Sequence, residues 1–267
     1  MNIKSEDNFD LKQTVVNKAA EAAVTSQVKS VENIEVNVDS EVSQMIQGKA
    51  SSLEIAADKI VVFEDIQLEQ LDINSDDLSL DLTQAILGKI ALKQPGNFKV
   101  KMIFTKSDCD RLLNSEYVRV LLQNLALEIG QQSANFYIRQ AECAFNDRGK
   151  LLLAASIVLN RGQDIKKARF EIGIAFYSNG KSIEFEGGKY IGETTLDLDE
   201  TVAMMSKICD LLYLRHYSNS NLSLDITDIE VKSELEQIIV EGYAKVKKIP
   251  DSLVESMESV ATQINHN

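Results

Sequence analysis

Two hydrophobic periods alternate along this chain. From residue 32 to 104 apolar side chains recur at every second position: Ile34, Val36 and Val38, then Leu78, Leu80 and Leu82, then Phe98, Val100, Met102 and Phe104. Ser79 and Asp81 separate members of the second set, and Lys99 and Lys101 members of the third. A period of two belongs to a β-sheet with one face in water. Gln94-Pro95-Gly96-Asn97 supplies a turn between two strands. Inside this stretch Val42-Ser43-Gln44-Met45-Ile46-Gln47-Gly48-Lys49 returns forty residues later as Leu82-Thr83-Gln84-Ala85-Ile86-Leu87-Gly88-Lys89. Each copy has strand-like flanks, so the repeat predicts a strand, helical turn, strand unit, with the Gly ending the turn where positive φ is needed. A repeat of this kind builds an extended apolar surface.

Spacing of three and four takes over elsewhere. Residues 9 to 30 predict a long helix with Phe9, Val16, Ala19, Ala20, Ala23 and Val24 on one stripe. Its alanines give high helix propensity and a thin profile. At roughly 20 residues it would be about 30 Å long and could lie in a curved sheet without filling it. Residues 107 to 130 predict helix through Leu112, Leu113, Tyr117, Val120, Leu121 and Leu125, with Ser107 and Asp110 as a capping box, a break at Asn114-Ser115 and a stop at Gly130. Strands resume from 133 to 192. They carry Phe136 and Ile138, then the doubly apolar and therefore central run Leu151 to Leu159, then Phe170, Ile172, Ile174 and Phe176. Asn179-Gly180 marks a hairpin, and Gly187-Gly188 a bulge or turn in the return strand. A helix from 199 to 212 should bury Val202, Met205, Ile208, Cys209 and Leu212. Strands follow at Leu222 and Ile238, and an amphipathic helix at 252 to 264.

These elements predict an α+β fold: strongly curved antiparallel sheet wrapped around the long N-terminal helix, with strand–helical turn–strand repeats and further amphipathic helices. No linker rich in Pro, Gly or Ser divides the chain, so 1–267 reads as a single domain with pseudo-repeated halves near 9–130 and 131–265.

Composition narrows the function. At 44% apolar and 26% charged the chain is globular and not disordered. A net charge of -13 repels nucleic-acid phosphates, so nucleic acid is not an expected partner. Cys109, Cys143 and Cys209 are scattered, without CxxC or zinc spacing, and read as buried reduced thiols. The start, Met1-Asn2-Ile3-Lys4-Ser5-Glu6-Asp7, lacks the apolar stretch of a secretory signal. Leu151 to Leu159, the longest apolar run, is far short of the ~20 residues of a membrane span. The expectation is a cytoplasmic protein, at most peripheral to an internal membrane.

Little of the sequence looks like chemistry. Gly180-Lys181-Ser182 lacks the earlier Gly of a phosphate loop, since Ala175 stands there, and it sits in a hairpin. Asp72, Asn74 and Asp76 start like a calcium loop, but Asp77 and Thr83 occupy the positions that need Gly and Glu. Asp197, Asp199 and Glu200 suit a helix N-terminus. His216 could form a nucleophile pair with Cys109 or Cys209 on paper, but no nucleophile turn is present. Lys166, Lys167 and Arg169, and Lys245, Lys247 and Lys248, are basic islands whose ordinary role is a solvated face. No catalytic residue, metal site or cofactor is expected.

Three stretches carry a family likeness: Leu87-Gly88-Lys89-Ile90-Ala91-Leu92-Lys93-Gln94-Pro95 with Thr105-Lys106-Ser107-Asp108 and Leu113-Asn114-Ser115-Glu116 beyond it; Asn17-Lys18-Ala19-Ala20-Glu21-Ala22-Ala23; and Leu211-Leu212-Tyr213-Leu214-Arg215-His216 before Leu222-Ser223-Leu224. Together they resemble the LmeA family of phospholipid-binding proteins, closest to its cyanobacterial branch. The resemblance implies a tubular lipid-binding architecture, with a bent antiparallel sheet around a long helix, an apolar groove and no catalytic residues. The expected partner is therefore a phospholipid or another acyl lipid, bound and transferred without bond breakage, with transient membrane contact. The inward-facing candidates for the groove, read from the alternation, are Val16, Ala20, Val24, Phe98, Val100, Met102, Phe104, Phe136, Ile138, Phe170, Ile172, Ile174 and Phe176. The rival reading is a protein-interaction module of the same fold, with a filled core and an acidic surface.

Overall fold

A computed structural model describes residues 6–40, 49–63, 66–79, 81, 91–121, 125–130, 132–146, 149–177, 182–212, 216–218 and 222–247. They fold as antiparallel β-sheets with a few helices, one sheet being strongly curved into a half-barrel. The chain forms two compact units. The first comprises Met1–Ile103, His216–Ile226 and Glu241–Val260, the second Phe104–Arg215, Thr227–Val240 and Ala261–Asn267.

Helix α1 (Glu6–Thr25) is followed by strands β1 (Asn33–Asp39), β2 (Lys49–Phe63), β3 (Ile66–Ser79) and β4 (Gly96–Thr105). Next come α2 (Lys106–Asn114), α3 (Glu116–Leu121) and the meander β5 (Leu125–Ile129), β6 (Gln132–Phe145), β7 (Leu151–Arg161), β8 (Asp164–Tyr177) and β9 (Ser182–Ile191). Helix α4 (Leu198–Leu212) precedes β10 (His216–Ser218), β11 (Leu222–Lys232) and β12 (Gln237–Val246). One sheet has the order β1-β2-β3-β4-β12-β11-β10 and the other β5-β6-β7-β8-β9.

Where they are described, the alternating stretches become strands as expected, Leu80 and Leu82 lying outside the described residues, and Leu151 to Leu159 lies in β7, the middle strand of its sheet. Gly187-Gly188 is a bulge. Glu171 pairs with Lys189 but Gly173 with Glu186, and Gly187 takes φ 63, which a Cβ would strain. The hairpin signal Asn179-Gly180 lies outside the described residues, between the paired Tyr177 and Ser182. So do residues 42–48 and 82–89 of the repeat and the helix expected at 252 to 264. Leu80 and Ile90 beside the second copy also lie outside the described residues, but the described parts of both copies' flanks pair. Asp39 lies opposite Ser52, and Ser40 Oγ donates to Lys49 O at 2.7 Å. Asp81 N donates to Ala91 O and Lys93 N to Ser79 O, both at 2.8 Å.

Four expectations need correction. The first helix runs over 6–25 instead of 9–30. Helix from 107 to 130 stops at Leu121, because Leu125, Leu127 and Ile129 alternate with exposed Ala126 and Glu128 and pair with β6 as an edge strand. The break at Ser115 is where the sequence places it, but the capping box sits two residues earlier. Thr105 is the cap, its Oγ1 accepting from Asp108 N, while Asp108 Oδ2 accepts from Thr105 N. On α4 the buried face is Met204 and Ile208, whereas Val202 is 59% exposed.

Candidate functional site

In unit 1, β1 to β4 turn one apolar face inward in register. Val36, Ile55, Ile73 and Val100 stand opposite one another across the four strands, and Ile34, Ala57, Leu71 and Met102 form the adjacent row. A third row begins with Val38 and Leu53 and meets Ser75, whose hydroxyl donates to Asn97 O at 2.6 Å. Three interstrand gaps make this face about 14 Å wide. Beyond Asp77, which takes φ 53, the inward positions become Leu78 and its partner Ala50.

Helix α1 is laid against β1. Val16, Ala20 and Val24, four residues apart, pack on the apolar cluster, and Asn17 pins the helix from the same turn. Its Oδ1 accepts from Val38 N at 3.0 Å, and its Nδ2 donates to Asn37 Oδ1 at 3.3 Å. Next to this helix Val36 and Val38 are buried, whereas Leu53, Ile55, Leu71 and Ile73 on the neighbouring strands are only half-buried. A sheet face normally hides its central strands best. Here the outer strand beside the helix is buried, and Leu53, Ile55, Leu71 and Ile73 of β2 and β3 are covered only in part.

The thirteen sequence candidates separate into three clusters. Val16, Ala20, Val24, Phe98, Val100 and Met102 belong to this face in unit 1. Phe136, Ile138, Phe170, Ile172, Ile174 and Phe176 lie in the main core of unit 2, packed with Leu159, Met204 and Ile208. Phe104 belongs to a smaller cluster with Cys109, Cys143 and Ile238. The sequence list missed Leu53, Ile55, Leu71 and Ile73. The alternation of Leu53, Ile55 and Ala57 with Ser52, Glu54 and Ala56 was the signal that could have found them.

Electrostatics in unit 2 serve the fold. Glu200 is fully buried, yet Lys166 Nζ donates to it at 2.7 Å and Arg161 Nη1 at 3.0 Å. It completes a reciprocal cap, with its Oε2 accepting from Asp197 N and its own N–H donating to Asp197 Oδ1, both at 2.9 Å. Burial alone would raise its carboxyl, but the Lys166 and Arg161 hydrogen bonds and the backbone contact at Asp197 hold it below the usual carboxylate range. The island at Lys166, Lys167 and Arg169 is thus partly committed within the unit, since Arg169 pairs with Glu142 at 3.0 Å. Asn74 and Asp76 are exposed on β3, as surface-strand residues should be.

A surface cleft of about 330 Å³ on the outer side of β7 to β9 is lined by Asn146, Lys150, Leu152, Glu171, Gly173, Glu186 and Gly187. None of the thirteen candidates lines it. His216 lies in unit 1 opposite Asp225, while Cys109 and Cys209 belong to unit 2. Among the described residues no group of three or more His, Cys, Asp or Glu side chains could hold a metal, and no helix is long and apolar enough to cross a membrane. No curated protein and no solved structure is significantly similar to the chain. The family model for LmeA-like phospholipid-binding proteins, however, matches residues 12–244 of the 267, and the protein belongs to that family.

Proposed function

We propose that this protein is a non-enzymatic carrier that holds the acyl chains of a phospholipid, or of another acyl lipid, against the half-open apolar face of β1 to β4 beside α1, and passes the lipid between membranes. The observation that carries the reading is the partial burial of Leu53, Ile55, Leu71 and Ile73 at the middle of an apolar sheet face. Each acyl methylene buried there contributes roughly 0.8 kcal/mol, so about a dozen would hold a lipid after ordering costs. Val16, Ala20, Val24, Phe98, Val100 and Met102 border the same face and complete the contact set. The unit 2 candidates serve chiefly as that unit's own core. In this reading residues 1–267 act as one functional domain, working in the cytoplasm and touching membranes transiently.

Mass spectrometry of the protein extracted under native conditions tests the proposal. The expected result is one phospholipid per chain, and loss of that lipid from Ile55→Asp with little change in unfolding temperature. Absence of any stoichiometric lipid, together with no uptake of a fluorescent fatty-acyl probe, would replace the carrier with a protein-interaction module that has a filled core and uses its acidic surface.

A further inference from the structure

Unit 2 also brings together two thiols that lie 34 positions apart in sequence. Cys109 on α2 and Cys143 on β6 are buried, 8% and 2% exposed, in one apolar cluster. Cys143 sits against the turn of α2 that carries Cys109, between Lys106 and Asp110. The Cys143 thiol donates to Lys106 O at 3.6 Å. The contact is held in place from both sides. Cys143 N donates to Asp110 Oδ1 at 2.7 Å. One helical turn further on, Asn114 Nδ2 donates to Ala141 O at 2.6 Å, and Ala141 N donates to Asn114 Oδ1 at 3.0 Å. Buried, polar-satisfied anchors of this kind fix α2 on β6 and keep the sulfurs from drifting apart. Hydrophobic packing alone does not require two adjacent sulfurs. Two cysteines fixed side by side in one buried cluster are placed where a bond can form.

We propose that Cys109 and Cys143 are a reversible disulfide site that staples α2 to β6 when the protein meets a peroxide-class oxidant. Cys109, the more exposed of the two, reacts first. Its sulfur attacks one peroxide oxygen, the O–O bond breaks, and a sulfenic acid and one water result. The Cys143 sulfur then attacks the Cys109 sulfur, the S–O bond breaks, and hydroxide leaves with the Cys143 proton as a second water. Two thiols are oxidised to one disulfide, and one hydrogen peroxide is reduced to two waters. A small oxidant suits sulfurs this deeply buried. The staple constrains the unfolded chain across the loop that it closes. It stands apart from the lipid reading, because neither cysteine borders the unit 1 face.

The test uses the full chain treated with hydrogen peroxide, followed by alkylation in denaturant and peptide mass mapping. The expected product is a cross-link between Cys109 and Cys143 with Cys209 alkylated. The unfolding temperature should rise by roughly 5–10 °C and return with dithiothreitol. C109S and C143S should each abolish the rise. Mapping of the unmutated chain decides the matter even where a variant fails to fold. Both thiols remaining alkylatable in excess peroxide, Cys109 passing to sulfinic acid without a cross-link, or a cross-link formed only in denatured protein would each overturn the proposal.

Discussion

The two units use apolar residues in opposite ways. Among the described residues, the unit 2 core joins sixteen buried side chains to ten half-buried ones, whereas the unit 1 face joins seven buried to thirteen half-buried. Both are sheet faces with a helix laid on them. In unit 2, α4 lies against the edge strand β5 and packs the bulky Met204 and Ile208 into one core with the buried Phe136, Ile174 and Leu159. In unit 1, α1 presents Val16, Ala20 and Val24, a thin profile, to the outer strand. The difference teaches that hydrophobic alternation specifies a sheet face, while the side chains of the covering helix help decide how far that face is buried.

The largest effect should come from placing one charge in each face. Ile174→Asp would bury a carboxylate at a site 1% exposed, without a partner, at a cost of more than about 4 kcal/mol, enough to unfold unit 2. Ile73→Asp, at a half-buried position, should leave the chain folded but empty its face of lipid. Denaturant titration and lipid mass spectrometry on both variants check the pair. Equal loss of folding in the two would mean that the unit 1 face is as closed as the unit 2 core.

Glu200→Gln comes next, and it probes how unit 2 tolerates a buried charge. Removing the carboxylate leaves Arg161 and Lys166 without their buried partner, and a loss of about 3 kcal/mol is expected. The folded carboxyl is held low, so its stabilising share is complete above the ordinary carboxylate value of about 4.3 and disappears as pH falls through the depressed folded value. Stability measured across this acid range should fall less steeply in the variant than in the parent. An unchanged slope would show that Glu200 is not the group being titrated.

Many of the strands were legible in the sequence, and the family resemblance carried by its helix and repeat flanks agrees with the family match over 12–244. Strands were readable wherever period two was unambiguous, as at Phe98, Val100 and Met102. Leu125 and Leu121 fit a spacing of four, but Leu125, Leu127 and Ile129 also fit a spacing of two, and pairing with β6 decided between the two. The partial burial of Leu53, Ile55, Leu71 and Ile73 was not legible. It depends on where α1 lies, and a contact between Asn17 and Val38, distant in sequence, sets that. Glu200 read as one acid of a helix start, because its cations come from the far ends of β7 and β8.

Asn17→Ala sharpens the comparison at smaller magnitude. Loss of the bond to Val38 N and of the contact with Asn37 should cost about 1 kcal/mol. The functional effect should be larger than the energetic one, because α1 borders the proposed acyl site. Uptake of a fluorescent acyl probe should become faster as the helix loosens from β1. Unchanged uptake kinetics with the same stability loss would place the lipid away from α1.

The smallest effect belongs to Val202→Ser on α4. Helical spacing alone put Val202 on the buried face, but it is 59% exposed, while Met204 is wholly buried. The reciprocal cap between Asp197 and Glu200 fixes the rotation of the first turn and aims Glu200 inward at Lys166. Met204, four residues on, therefore lies on the same side, and Val202 is turned away. Val202→Ser should change stability by no more than about 0.5 kcal/mol, as exposed substitutions do. Met204→Ser should remove several times that. Thermal unfolding of the two variants distinguishes them, and a large loss in Val202→Ser would mean that the apolar stripe, and not the buried carboxylate, sets how α4 faces its sheet.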